Sequence, residues 1–219
     1  GRTLAADLER PFRGVRTRAG AQLIPDPEPV AGRDPGSAEW ERVRASRRMR
    51  EYVQVMPKHA FFIGPTAALI WKAPLPEGLL DELHVAVLHP RTPVRRPGVR
   101  GIQVRSKLVT VKDGDAARYT DPATTWASLG SYLEVDDLVA VADHLVRVPR
   151  IPGTSRIERK PYAQLSDLAA ALRTGRRVGG AKLREAYELA RVGAASRPET
   201  QLRLILVRGG LPEPELNVD

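Results

Sequence analysis

The pattern of apolar and polar positions changes its period along the chain, and the strictest alternation falls in the first half. Residues 83–90 (LHVAVLHP) and 101–106 (GIQVRS) alternate apolar and polar side chains, as strands do when one face is buried. The segment LVTVKDGD has the same character and ends at Asp113-Gly114, a dipeptide typical of tight turns. We therefore predict three strands of a small antiparallel sheet.

Helical periodicity is clearest between residues 135 and 146. The apolar positions there form one stripe, which consists of Val135, Leu138, Val139, Ala142, Leu145 and Val146. Just before it, Asp121, Pro122 and Gly130 supply an N-cap, a first-turn proline and a C-terminal glycine, so a helix is predicted between them. The same criteria predict helices from 37 to about 52, near 166–173 and near 181–191. The fold class is therefore α+β, with helices flanking the sheet.

A break in periodicity divides the chain. Residues 149–161 (PRIPGTSRIERKP) combine proline, glycine, serine and charge without any apolar period, which is typical of a linker. We predict an α+β domain over residues 1–148, a helical segment over 162–195, and the start of a further unit over 196–219.

The last stretch, SRPETQLRLILVRGGLPEPELNVD, begins with the signature of a helix start. Ser196 and Glu199 have the spacing of a capping box, in which the serine oxygen accepts the backbone N–H of residue 199 and the glutamate reaches back. Alternatively, Glu199 could supply one carboxylate to a Mg²⁺ site, but one carboxylate does not make such a site. The capping interpretation is favoured, and a strand is predicted after Gly209-Gly210.

Composition bounds the partners and the compartment. The 219 residues carry a formal charge of +9 and contain no cysteine, which excludes disulfides and cysteine-based zinc sites. No apolar run approaches the roughly 20 residues that a membrane helix needs, and the first residues lack a secretory apolar region. We expect a cytoplasmic protein with a polyanionic partner, nucleic acid first, and no membrane. The arginine excess could also reflect GC-rich coding.

Two basic segments are candidates for contacting phosphate. Residues 91–112 carry seven cations and no acid, and RRPGVR is predicted to be the turn of a β-hairpin, with its arginines at the tip. A second cluster surrounds TGRRVGG between two predicted helices. An ordinary solvated surface is the alternative for both. The predicted nucleic-acid-binding residues are Arg91, Arg95, Arg96, Arg100, Arg105, Lys107, Arg176, Arg177 and Lys182.

No complete catalytic constellation is predicted. The four histidines show neither H-x-x-x-H nor H-E-x-x-H spacing, and the glycine-rich TGRRVGG lacks the pattern of a phosphate-binding loop of nucleotide hydrolases. No metal site is predicted within these residues, and no cofactor.

Four segments, in this order, resemble an actinobacterial family related to AbiEi-type antitoxins, whose members often end in a Vsr-like (very-short-patch-repair-type) endonuclease domain. DLERPFRGVR resembles the segment after the family's N-terminal winged helix, and FFIGPTAALIWKAPLP is similar to a helix ending L-P-L-P. YTDPATTWASLGSYLEVDDLVAVADHLVR and SRPETQLRLILVRGGLPEPELNV resemble a later helical segment and the entry into the nuclease fold. The sequence departs from the family at Ile63-Gly64-Pro65 and at Asp121, where a Ser-His pair and a serine are usual.

The resemblance implies that residues 1–148 are AbiEi-like and that 196–219 are the first helix and strand of a truncated PD-(D/E)xK-like nuclease core, without the winged helix. Glu199 would be at most an accessory acid, because the family's metal-binding carboxylates come later. The expected function is DNA binding as a transcriptional regulator or antitoxin-type module that contacts the phosphate backbone. One alternative is a Mg²⁺-dependent DNA endonuclease whose catalytic residues lie beyond residue 219. Another is a toxin-neutralising module whose partner is a cognate toxin protein.

Overall fold

The computed structural model describes residues 8–9, 12–14, 17–18, 37–151, 154, 156–194 and 196–216. Its helices are α1 (Ala38–Val53), α2 (Gly64–Ile70), α3 (Pro122–Ser128), α4 (Val135–Val146), α5 (Leu165–Arg173), α6 (Gly180–Leu189) and α7 (Arg197–Arg208), with short 3-10 turns at Ser106–Leu108 and Leu129–Ser131. Its strands are β1 (Leu8–Glu9), β2 (Thr17–Arg18), β3 (Phe61–Phe62), β4 (Leu83–Leu88), β5 (Val99–Val104), β6 (Val111–Asp113) and β7 (Arg118–Thr120). The α+β prediction is confirmed at this level. None of the helices among these residues is long and apolar enough to cross a membrane.

The main sheet has five strands in the order β5-β4-β3-β7-β6 and is mixed, so the prediction of an antiparallel sheet is wrong. β3 pairs antiparallel with β4 and parallel with β7, whereas β4 and β5 are parallel, with Leu83 opposite Val99 and Leu88 opposite Val104. The predicted turn at Asp113-Gly114 is confirmed, since it joins the antiparallel strands β6 and β7. Alternation identified the strands, but it carries no information on their direction.

The predicted hairpin between β4 and β5 is also wrong, because parallel neighbours need a crossover connection rather than a tight turn. Residues 89–98 form this crossover and run back across one face of β5. The backbone of Val94 lies so close that a Cβ on Gly101 would be 2.0 Å from the Val94 carbonyl oxygen. The residues of the predicted turn do reverse the chain, through a bridge between Arg96 and Val99, but they do so at the start of β5.

Helix ends follow the local chemistry in the sequence. The Asp121 side chain accepts the N–H of Thr124 at 2.8 Å, and Pro122 opens α3, as predicted. The Ser196 oxygen accepts the N–H of Glu199 at 3.4 Å at the start of α7, which confirms this half of the capping box. No strand is assigned to residues 211–216, and the rest of the predicted terminal strand lies outside the described residues.

Three groups of apolar side chains hold these elements together. One lies between the sheet and α1 and includes Tyr52, Phe62 and Val85. A smaller one, around Phe61, Ile63 and Ala86, covers the opposite face of the sheet. The largest group joins α2 through α7, and its biggest buried side chains include Trp126, Leu138, Leu168, Leu183 and Leu204. Apolar contacts are therefore continuous across the segment predicted as a linker, and the division into units stays a prediction.

Candidate nucleic-acid interface

The two basic segments predicted from the sequence come together in the fold. Along β5, Ile102 and Val104 face away from α1, toward the smaller apolar group. They line a groove of about 240 Å³ whose other walls come from Leu108, Tyr132 and the α5–α6 connection. Arg176, Arg177 and Val178 of that connection form its rim. We call this feature the basic groove, and none of its lining residues is acidic.

Arg177 links the two segments directly. Its guanidinium donates hydrogen bonds to the main-chain carbonyl of Leu108, to the carbonyl of Ala171 at 3.4 Å, and to the hydroxyl of Thr174 at 3.1 Å. Burial lowers the pKa of Arg177, and the nearby Asp121 carboxylate opposes that shift. The side chain predicted to hold a phosphate is therefore used inside the protein, where it fixes the α5–α6 connection against the turn after β5.

Tyr132 forms one wall of the basic groove and has two charged or titratable neighbours. The Arg100 guanidinium lies 5.5 Å from the centre of the Tyr132 ring, and the His84 ring meets it edge-on at 5.0 Å. Burial, and then the positive charge of Arg100, lower the pKa of His84 to about 4, while the Glu82 carbonyl opposes the shift. Burial raises the pKa of the Tyr132 hydroxyl. At neutral pH the positive charge here comes from Arg100, since His84 is uncharged.

Four of the predicted cations are exposed on the segments that form the basic groove, and Arg176 is the one of these four that lines it. Arg100 lies on β5, while Arg105 and Lys107 lie between Val104 and Leu108, which line the groove. Lys107 lines a neighbouring cavity of about 380 Å³ instead, which contains the acidic side chains of Asp121 and Asp167. The fourth exposed cation is Arg176. Together with the half-buried guanidinium of Arg177, these side chains make the surroundings of the groove positive.

Lys182, which is also predicted to bind DNA, forms an ion pair with Glu134 at 3.1 Å. Glu134 is exposed and follows Tyr132 closely in the chain, so this pair lies near the groove. Because the Glu134 carboxylate already neutralises it, Lys182 adds little positive charge for a phosphate.

Arg91, Arg95 and Arg96 lie elsewhere. They belong to the crossover over residues 89–98, which packs on the face of β5 opposite to the basic groove. The Arg91 carbonyl accepts the side-chain amide of Gln103 at 2.8 Å, and Arg96 donates to the carbonyl of Arg13 at 3.3 Å. Side chains alternate between the faces of a strand, and Gln103 points away from the face that Ile102 and Val104 occupy. The structure thus separates the first basic segment into two groups.

Glu199 takes part in the cap of α7, where its carboxylate also accepts the Ser196 hydroxyl at 3.3 Å. Among the described residues, no group of three or more histidine and acidic side chains is placed to hold a metal ion.

Of the residues that line the groove, only Arg176 and Arg177 were predicted as site residues from the sequence; those missed include Tyr132, Val178 and Leu108. The exposed fraction of Val178 is 77%, which is high for an apolar side chain. In the sequence, this valine stands between two arginines and two glycines. An isolated valine inside a basic loop is the one sequence signal that could have indicated a mixed apolar and basic surface.

Comparisons of the chain with protein-family models, with curated proteins and with solved structures gave no match in any of the three.

Proposed function

We propose that this protein binds DNA by contacting the phosphate backbone with the exposed cations of the basic groove. The main support for this proposal is that two basic segments, about 70 residues apart in sequence, meet at one groove. The lining of that groove contains no carboxylate. Arg100, Arg105, Lys107 and Arg176 are the contacting side chains. The net charge of +9 adds long-range attraction for a polyanion.

Backbone contacts predict a particular kind of binding. Cations that neutralise phosphates release condensed counterions, so the logarithm of the affinity falls linearly with the logarithm of the salt concentration. Phosphate contacts carry no direct sequence information, so the preference among sequences is weak. Membership of the AbiEi-like family, a role as a regulator and a cytoplasmic location belong to this same proposal.

The test compares two triple variants that remove the same number of charges. The first changes Arg105, Lys107 and Arg176 to Gln, and the second changes Arg91, Arg95 and Arg96 to Gln. We expect the first to weaken binding of a random-sequence duplex and to reduce the salt slope by about 0.9 per lost phosphate contact. The second leaves the slope near that of the unchanged protein. Fluorescence anisotropy over a salt series measures both.

The second variant is the control for net charge, since both triples lower it equally. Equal losses in the two variants would mean that the attraction is only a property of overall charge. A larger loss of DNA affinity in the second variant would indicate that the interface lies on the opposite face of β5.

The apolar lining of the basic groove favours a second candidate function, a protein-interaction module that neutralises a toxin protein. Ile102, Val104 and the exposed Val178 offer apolar surface that backbone contacts to DNA do not need, and such patches mark protein partners. Val178→Ser removes apolar surface without changing charge. We expect it to leave DNA affinity unchanged and to weaken neutralisation, measured as growth during co-expression with a toxin that the unchanged protein neutralises. Full neutralisation by this variant would show that the apolar rim is not part of the interface.

A further inference from the structure

A third cavity, of about 330 Å³, lies between α1, the segment after α2, α4 and the start of α7. It shares no lining residue with the basic groove. Its walls carry Arg42, Lys72, His144 and Arg197, so four side chains that are basic or can become so face one small space. These four residues are far apart in the sequence, so the sequence pattern did not predict that they cluster.

The acidic side chains near this cavity already form ion pairs with arginines. Asp137 pairs with Arg197 at 2.6 Å, which neutralises that guanidinium. Asp143, which also lines the cavity, pairs with Arg203 at 3.1 Å and accepts the Thr200 hydroxyl at 2.8 Å. Among the described residues that line the cavity, these pairs leave no carboxylate that is free to compensate the remaining cations.

Arg42 and Lys72 are those remaining cations, since neither forms an ion pair among the described residues. One nitrogen of Arg42 donates to the Ala73 carbonyl at 2.8 Å, which orients the guanidinium and leaves other N–H groups for a ligand. The neighbouring carboxylate of Glu41 accepts the N–H groups of Gly78 and Leu80. Positive charge also reaches His144. Burial lowers the pKa of His144, its hydrogen bond with the Trp71 carbonyl at 2.9 Å opposes that shift, and repulsion from the nearby arginines, Arg42 among them, lowers the pKa further.

The backbone of Lys72 supplies an independent observation. Its φ is +56°, and it is the one non-glycine residue with positive φ within the described ranges. The Lys72 N–H donates to the Leu69 carbonyl at 3.1 Å, and the Ala73 N–H donates to the Ala68 carbonyl at 3.0 Å. This is the hydrogen-bond pattern with which helices commonly end, and α2 has Lys72 at the left-handed position where glycine is usual. A side chain at this position is strained. Residues in strained backbone conformations cluster at ligand sites, and here the strain falls on a side chain that lines the cavity.

We propose that this cavity binds the phosphate group of a small phosphate monoester, with Lys72 and Arg42 on the phosphate oxygens. Two cations with no ion pair at a half-open cavity, one on the exposed Lys72 and one on the half-buried Arg42, suit a dianion, and hydrogen bonds between charged groups are the strong ones. The volume lies at the small end of ligand pockets, so it fits a phosphorylated metabolite rather than a polymer.

Lys72→Gly is the informative variant, because it removes the charge and also releases the backbone strain. We expect it to unfold at the same temperature as the unchanged protein or higher, and to bind adenosine monophosphate at least tenfold more weakly in isothermal titration calorimetry. Lys58→Gln, which removes an exposed lysine outside the cavity, is the control for charge and keeps the original affinity. Duplex DNA affinity stays unchanged in Lys72→Gly, which separates this site from the basic groove.

Inorganic phosphate and adenosine monophosphate are titrated in parallel to distinguish the two sources of the dianion. Saturable binding of both, lost in Lys72→Gly and accompanied by a shift of the His144 ring protons in the NMR spectrum, supports the site. Tighter binding of the nucleotide means that the cavity also holds the organic part. Absence of saturable binding to the unchanged protein, or equal binding by Lys72→Gly and Lys58→Gln, would overturn the proposal.

Discussion

The carboxylate of Asp143 on α4 and the guanidinium of Arg203 on α7 form an ion pair 3.1 Å long, with exposed fractions of only 1% and 2%. Arg203 also donates to the Leu189 carbonyl at 2.9 Å, and Thr200 of the same helix donates to Asp143. This network fixes α7 against α4 and against the end of α6. The helix that the sequence pattern placed at the start of a further unit thus packs into the core of the helices before it.

Arg203→Leu is expected to lower the free energy of unfolding by roughly 3–5 kcal/mol, because it leaves the Asp143 charge buried without its partner. Urea unfolding followed by circular dichroism measures the change. The control is Arg208→Leu, which breaks the exposed pair with Asp136 and is expected to cost about 1 kcal/mol or less. Similar losses in the two variants would contradict the burial argument.

His84 predicts a loss of stability in acid. Its pKa is about 4 in the folded protein and near 6.5 in the unfolded chain. Between these values the unfolded chain binds more protons, so the free energy of unfolding falls as the pH falls from about 6.5 to 4. The full effect is on the order of 3 kcal/mol. His84→Leu removes this contribution, and a pH dependence of urea unfolding identical to that of the unchanged protein would show that His84 does not carry it.

Arg176 and Arg177 are adjacent and carry the same charge, yet we expect opposite results from substituting them. Arg177→Gln loses the hydrogen bonds to Leu108 and Thr174, so it lowers the free energy of unfolding by about 1–3 kcal/mol. Arg176→Gln changes stability by less than about 0.5 kcal/mol, because the side chain is exposed, and it weakens DNA binding. Thermal unfolding and anisotropy measure the two effects, and equal destabilisation would contradict the assignment of Arg177 as a structural residue.

Gly179 and Gly78 both have positive φ, at +74° and +83°, but only one of them is crowded. A Cβ on Gly179 would lie 1.8 Å from the Gly130 carbonyl oxygen, whereas Gly78 has nothing within 4 Å of that position. Gly179→Ala is therefore expected to cost roughly 3 kcal/mol or more, since the backbone must move. Gly78→Ala costs about 1 kcal/mol through its conformation alone. The midpoints of thermal unfolding compare the two, and equal midpoints would show that the contact with Gly130 relaxes freely.

The sequence by itself determined the features that depend on neighbouring residues. The cap of α3 at Asp121, the turn at Asp113-Gly114 and the helix over the 135–146 stripe follow from hydrogen bonds and spacings within a few residues. Their physical basis is complete inside a short window of chain, so the pattern predicts them. The nine candidate cations were likewise visible as charges, although their positions relative to one another were not.

Only the tertiary structure decided which of those charges share a surface. The parallel pairing of β4 with β5 moved Arg91, Arg95 and Arg96 to the opposite face, and the packing of α5 and α6 brought Arg176 to β5. The same packing turned Arg177 inward, whereas the docking of α1 against α2 placed Lys72 beside Arg42. Strand direction and helix docking depend on the burial of apolar faces that lie far apart in the chain. A local pattern records that a face is apolar, but it does not record which other face will cover it.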